Sequence, residues 1–256
     1  MKNGPTRPQC SLYYGPRRAW AEPMNRTREL LNSLETYLQS RVPGCRLVKT
    51  ALPQAPELSL YLMNGDYPRD GLTHEQARAL MDNPPYWSFC WASGQVLGRC
   101  ILDHPEWVRG KTLVDFGAGS GVVGIAAKKA GAGRVILCDL DEKALRAGEL
   151  NAWTNSVNVE FSAALEDLLS EDVGGWIVAV ADVFYDRDNL PILGTLVERF
   201  GAVWVSDSRM RGRPLPGLEI FGQSESHTVP DLDESLEFNH VTLYRKKWSK
   251  PSKIIR

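Results

Sequence analysis

From about residue 111 onward, short apolar runs alternate with stretches of helical spacing along this 256-residue chain. The pattern predicts strand 111–116, helix 121–130, strand 134–138, helix 142–154, strand 157–162, strand 176–181, a helix over about 188–199 and a strand from Ala202 to Ser206. Such alternation predicts an α/β fold, a mostly parallel sheet with helices on both faces. Two further runs, near 218–226 and 236–245, read as an antiparallel hairpin closing the sheet at its edge.

The first eighty or so residues read differently, as an accessory region spanning 1–82 before a main domain of 83–247. Residues 1–23 carry Pro5, Pro8, Gly15, Pro16 and Pro23 with no acid before Glu22, a composition of extended or disordered chain. Between Met24 and Leu38, Leu30, Leu31, Leu34 and Leu38 recur at helical spacing and form one apolar face, ending before Pro43-Gly44. Arg46–Ala51 and Leu58–Met63 read as short strands, and Thr73 as the cap of a helix through Ala77–Met81. Residues 248–256 read as a basic tail.

The candidate chemistry lies where the strand Leu113-Val114-Asp115-Phe116 runs into Gly117-Ala118-Gly119-Ser120-Gly121 and then a helix. Glycines at alternate positions allow a sharp reversal and close approach of a ligand to the backbone. The free N–H groups opening the next helix favour an anionic group. A dinucleotide fingerprint can be traced through Gly119, Gly121 and Gly124, but it does not call for an acid before its first glycine, where Asp115 stands. Asp-x-Gly-x-Gly-x-Gly instead resembles motif I of the class I S-adenosylmethionine (SAM) methyltransferases, in which the carboxylate organises the loop around the cofactor's methionine end.

A second carboxylate supports a nucleoside ligand. The β-like run Arg134–Cys138 ends in Asp139, about twenty residues past the glycine loop and placed to accept both ribose hydroxyls. Leu140 can lie against the adenine face, whereas Asp141 reads as the cap of the helix through Ala144, Leu145 and Ala147. Asp115, Gly117, Ala118, Gly119, Gly121, Asp139 and Leu140 are therefore the expected SAM contacts. Residues 163–166, after the third strand, are expected near adenine without a choice among them.

Composition narrows the partners. A formal charge of −1 provides no bulk attraction to nucleic acid, and Arg209, Arg211 and Arg213 read as a solvated loop. No apolar run approaches the roughly 20 residues that span a bilayer, so no membrane is expected. Five scattered cysteines without a C-x-x-C pair suggest a reducing compartment, with Cys138 a small core residue. A cytoplasmic location follows; Arg7, Arg17 and Arg18 keep a mitochondrial matrix alternative open. Four histidines at no ligand spacing give no expected metal site.

Two further segments sharpen the resemblance. Pro85-Tyr86-Trp87-Ser88-Phe89-Cys90-Trp91-Ala92-Ser93-Gly94-Gln95 precedes the helix leading to Asp103, and Asp182-Val183-Phe184-Tyr185-Asp186 follows the fourth strand. With Val108-Arg109-Gly110-Lys111 and Gly124-Ile125-Ala126-Ala127-Lys128 around motif I, the chain resembles the seven-β-strand protein-lysine methyltransferases over about residues 84–210. Within these it is similar to the family that methylates the β-subunit of electron transfer flavoprotein. The resemblance implies a Rossmann-like, seven-stranded class I methyltransferase sheet. It also implies SAM as cofactor, a protein partner presenting a lysine, a cofactor-pocket role for Trp91 with Gly94 giving the backbone room, and an acid-x-x-aromatic pair, Asp182 and Tyr185, at the acceptor.

The acceptor chemistry explains why such a pair is useful. A lysine of pKa near 10.4 must lose a proton before it attacks, at a cost of about 4–5 kcal/mol at neutral pH. An apolar, aromatic channel disfavours the ammonium, while a carboxylate orients the amine and takes the proton outward. Tyr185 can wall such a channel, with Phe184 and Asp186 expected at its rim. Of the four aromatics over 86–91, alternation predicts that at least two pack the core.

The chain also departs from related patterns. Asn83-Pro84-Pro85-Tyr86 lies before motif I rather than after the fourth strand, which disfavours amide or base methylation. Ser206-Asp207-Ser208-Arg209 matches the family only at Asp207, so the substrate can differ too. A small-molecule N-methyltransferase and a non-catalytic SAM-binding interaction protein are the alternatives.

Overall fold

The computed structural model describes residues 23–66, 73, 74, 78, 82, 84–210, 212–232 and 234–246. The disorder expected over 1–22, most of the helix expected after Thr73 and the basic tail lie outside these residues. Pro23 itself opens a helix, α1 (Pro23–Arg41), which begins earlier than the spacing of the leucines indicates.

A two-stranded antiparallel hairpin follows, β1 (Leu47–Ala51) and β2 (Ser59–Met63). After a 3-10 turn at Tyr86–Ser88 come α2 (Ala92–Asp103), β3 (Thr112–Phe116), α3 (Val122–Lys129), β4 (Arg134–Cys138), α4 (Glu142–Thr154) and β5 (Glu160–Ser162). The chain continues through α5 (Leu165–Leu169), β6 (Ile177–Ala181), α6 (Leu190–Arg199), β7 (Ala202–Asp207), β8 (Leu218–Glu225) and β9 (His240–Lys246).

The seven strands β3 to β9 form one sheet in the order β5-β4-β3-β6-β7-β9-β8. Its first five strands are parallel, while β9 runs antiparallel to both β7 and β8. This is the expected Rossmann-like, seven-stranded class I methyltransferase sheet. The final strand enters between β7 and β8, leaving β8 at the edge.

Period-two alternation sorts the strand residues between two cores. Leu113, Ile177 and Ala179 pack with Val96, Leu97, Val123 and Ala126 of α2 and α3 on one face. Val114, Val178, Val180 and Val205 pack with Leu193, Leu196 and Phe200 on the other. Cys138 is buried in this second core, as expected. A Cβ on Gly94 would stand 2.8 Å from Val122 Cγ1. Gly94 thus lets α2 pack closely on α3, a different reason for glycine from the backbone freedom expected beside Trp91.

Three boundaries differ from the sequence expectation. The strand expected at 157–162 pairs with β4 only from Glu160, because residues 157–159 fall outside the ladder. Leu236–Asn239 is a 3-10 turn before β9, and the helix expected from 188 is preceded by a 3-10 turn at Arg187–Asn189. The short helix α5 was not expected.

The accessory region is docked through α4. Leu30, Leu34 and Leu38 share a buried cluster with Ala144, Ala147 and Leu150. Asn151 of α4 and Asn155, which caps the C-terminal end of α4, satisfy the free edge of β2: Asn151 Oδ1 accepts from Tyr61 N at 2.7 Å, and Asn155 pairs with both Ser59 N and Ser59 O at 3.1 and 2.7 Å. Asn151 Nδ2 also donates to Ser120 O at 2.9 Å, joining the hairpin to the glycine loop. Asn151→Ala strands both partners and is expected to cost about 2 kcal/mol. A thermal melt then shows a midpoint lower by roughly 4–8 °C.

Candidate active site

Every glycine of the 117–121 loop takes a left-handed backbone, with φ of +69° at Gly117, +52° at Gly119 and +79° at Gly121. Side-chain-bearing residues rarely adopt this region, so the alternate spacing in the sequence has a local steric cause. Gly117 N and Ala118 N donate to Cys138 O, which ties the loop to the end of β4. A Cβ on Gly117 would lie 2.6 Å from Val183 Cγ2, whereas one on Gly119 would meet nothing closer than 4.0 Å. The space above Gly119 is thus open to a ligand.

One carboxylate braces this loop and a second braces the helix it opens. Asp139 Oδ2 accepts from Gly119 N and its Oδ1 from Asp141 N, both at 2.9 Å. Each oxygen retains a lone pair for a ribose hydroxyl. Asp115 is buried, and its Oδ2 accepts from Gly124 N at 2.8 Å, fixing the first turn of α3 against β3. Asp141 accepts from Lys143 N and caps α4, as expected. Leu140 is 89% exposed at the tip of β4, leaving an apolar surface beside Asp139. In the 163–166 segment, Leu165 turns into the core while Ala163 and Glu166 face outward. These residues fit SAM: an open glycine floor, a ribose acceptor and an apolar cover.

Burial raises the Asp115 carboxyl to about 7, with the Gly124 hydrogen bond opposing that shift. The folded protein then holds this proton more tightly than the unfolded chain, so ionising Asp115 costs stability as pH rises from about 4 toward 7. Asp115→Asn retains an acceptor for Gly124 and removes that titration. The melting temperature of the variant relative to wild type is therefore expected to improve between pH 5 and pH 8, as paired thermal scans can measure.

Beyond the cofactor loop, a cavity of about 180 Å³ is lined by Tyr86, Trp91, Asp182, Tyr185 and Arg209. Asp182 follows β6 directly and has φ of +49°, a conformation uncommon for a residue with a side chain. Its Oδ1 accepts from Ser93 Oγ at 2.8 Å and from Ser208 N and Oγ, both at 3.0 Å. Oδ2 has a longer contact, 3.4 Å from Ser93 N. Burial raises the Asp182 carboxyl, and these donors together with the Arg209 charge oppose the rise.

Trp91 is half-buried, its indole N–H donates to Tyr86 O, and its ring meets those of Tyr86 and Phe89. Tyr185 is 41% exposed, and burial pushes its hydroxyl up to about 12. Trp87 and Phe89 are buried, in line with the expectation that at least two of the four aromatics pack the core. Phe184 is not at the rim: it is fully buried in the core with Val180 and Leu193, because the turn after Asp182 points it beneath the sheet. Asp186 caps the next 3-10 turn through Asp188 N.

Ser93, Ser208, Tyr86 and Arg209 were not singled out as site residues in the sequence. Arg209 is not solvated as expected. Its guanidinium pairs with Glu234 and lies over the rings of Trp91, Tyr185 and Phe238, at 5.4, 5.6 and 4.5 Å from their centroids. The available signal was its position just past β7, beside the acid end of β6.

The family model for ribosomal protein L11 methyltransferase (PrmA) matches residues 100–184. The human electron transfer flavoprotein beta subunit lysine methyltransferase is 38% identical over 134 residues, 52% of this chain and 50% of that protein. Its Mus musculus counterpart is 33% identical over 70% of this chain and 68% of its own length, and the Caenorhabditis elegans homolog is 33% identical over 76% and 78%. The chain belongs to the electron transfer flavoprotein beta subunit lysine methyltransferase family. It is a SAM-dependent protein-lysine methyltransferase. Among the described residues, no helix is long and apolar enough to cross a membrane, and no cluster of three or more His, Cys, Asp or Glu could hold a metal ion.

Proposed function

We propose that this protein methylates a lysine side chain of the electron transfer flavoprotein β-subunit in the cavity beside Asp182. The observation that carries this reading is the juxtaposition, in one aromatic cavity, of a half-buried carboxylate, Asp182, with Trp91 and Tyr185. Gly117, Ala118, Gly119, Gly121, Asp139 and Leu140 hold SAM, with Asp115 organising the loop and Trp91 closing the cavity side. Asp182 and Tyr185 present the acceptor.

A lysine ammonium entering between Trp91 and Tyr185 is drawn by ring and carboxylate charge. Asp182 Oδ2 orients the nitrogen and accepts its proton for release to water. Ser93 and Ser208 hold the other carboxylate oxygen, so Asp182 is fixed before the substrate arrives. Bound SAM would supply a methyl carbon activated by its positive sulfur, and the amine lone pair would form the N–C bond as the C–S bond breaks, with S-adenosylhomocysteine as the leaving group.

Incubating the protein with methyl-labelled SAM and a lysate of its source tests the substrate class. A discrete, protease-sensitive labelled band is expected. Label confined to the low-mass fraction would instead favour a small-molecule acceptor, and SAM binding without any label would favour the non-catalytic alternative.

A further inference from the structure

The acceptor cavity already contains a cation. Arg209 lines it together with Asp182 and brings a guanidinium, a cationic group, into it. Its position is fixed from several sides: by the three rings, by the ion pair to Glu234, and by its backbone N–H, which donates to Asp207 Oδ1 at 2.7 Å. Glu234 is itself held, its Oε2 accepting from Thr228 Oγ1 at 2.9 Å.

A carboxylate alone in a channel has a drawback for amine methylation. It attracts the lysine but also stabilises the ammonium, which has no lone pair for attack. A like charge within about 4–6 Å of the amine has the reverse effect and favours loss of the proton. We propose that Arg209 is the fixed cation that offsets Asp182, so that the lysine amine is neutral when it reaches the methyl donor. The inference rests on the lysine reading above. Arg209 acts through its field and forms no bond to the acceptor; it is a positioning residue.

The groups facing Arg209 are Asp182 from the end of β6, Asp207 from the end of β7, Tyr185 and Tyr86 from the cavity wall, and Glu234 from the β8–β9 connection. His227 and Asp231 line the adjoining cavity with Glu234. Asp207 is fully buried, its Oδ2 has no hydrogen-bond partner, and burial followed by repulsion from Asp182 raises it to about 7. Arg209 counters the rise at both acids and at Tyr185. Glu234 partly compensates that charge, so changes at Arg209 and Glu234 should act in opposite directions.

The test is kcat against pH, from 6.5 to 9.5 on a scale of roughly half-unit steps, with the purified electron transfer flavoprotein β-subunit as acceptor and saturating SAM. Wild type is compared with Arg209→Met, Arg209→Lys and Glu234→Gln, each first checked for SAM binding by calorimetry. In Arg209→Met the rising limb is expected to move to higher pH by about one unit, with KM for the acceptor unchanged or lower. Arg209→Lys should restore the limb, and Glu234→Gln should move it to lower pH. A profile that is scaled down without a shift, or a KM rise with an unshifted limb, overturns the inference in favour of a structural or substrate-carboxylate role. If Arg209→Met fails to bind SAM, Glu234→Gln decides by the direction of its shift. Wild-type protein that transfers nothing to this acceptor at any pH overturns both the substrate reading and the inference; transfer without the shifts overturns the inference alone.

Discussion

Asp182→Asn is expected to lower methyl transfer by about 10²–10⁴-fold while leaving SAM affinity near that of wild type. The substitution preserves size, and the remaining carbonyl oxygen can still accept from Ser93 Oγ and from Ser208 N and Oγ. What it removes is the negative charge and the Oδ2 acceptor to which we assign the drawing in of the ammonium and the taking of its proton. Because Asp182 forms none of the contacts that brace the glycine loop, the defect should fall on kcat rather than on cofactor binding. Single-turnover methyl transfer with calorimetric SAM titration separates the two. A variant that loses SAM affinity in proportion to activity would assign Asp182 to the cofactor pocket instead.

Gly117→Ala is expected to reduce SAM affinity at least tenfold and to lower the melting midpoint. Alanine at φ of +69° carries about 1–2 kcal/mol of strain, and the added methyl would stand 2.6 Å from Val183 Cγ2. Val183 directly follows Asp182, so relief of the clash displaces either the glycine loop or the acceptor carboxylate. Gly119→Ala provides the contrast. Its φ of +52° carries similar strain, yet the methyl enters open space, so any larger loss of SAM affinity than of stability reports obstruction of the ligand floor. Calorimetry and thermal melts on the pair give the comparison.

The glycine loop of the proposed cofactor half was legible because its constraints are local. Three left-handed positions within five residues require glycine, and each carboxylate stands at the end of its own apolar strand. The sheet was legible for a similar reason: β3, β4 and β6 are apolar on both faces, the signature of strands covered by helices. Asp182 and Tyr185 were readable only through resemblance, since an acid and an aromatic three residues apart have no compelling local meaning. The rest of the acceptor cavity depends on long-range placement. Ser93 reaches Asp182 across 89 residues of chain, and Arg209 meets Glu234 across 25. Charge alone made Arg209 look solvated, and its cage of rings from three separate segments cannot be read from its neighbours. Phe184 was misplaced because the left-handed turn at Asp182 reverses which side of the strand end faces the core. The docking of β2 was missed because Asn151 sits on a helix and Asn155 at its end, where asparagine carries no pairing signal of its own.

Methylation of lysine in the electron transfer flavoprotein β-subunit at the Asp182 cavity is the proposed reaction. Its most direct measurement is incubation of that purified subunit with methyl-labelled SAM and either wild-type protein or Asp182→Asn, followed by complete hydrolysis and separation of the labelled amino acids. Label is expected in methylated lysine with wild type and almost none with the variant, although both bind SAM. Label in another residue, equal label with the variant, or no label with a wild-type protein that binds SAM would contradict it.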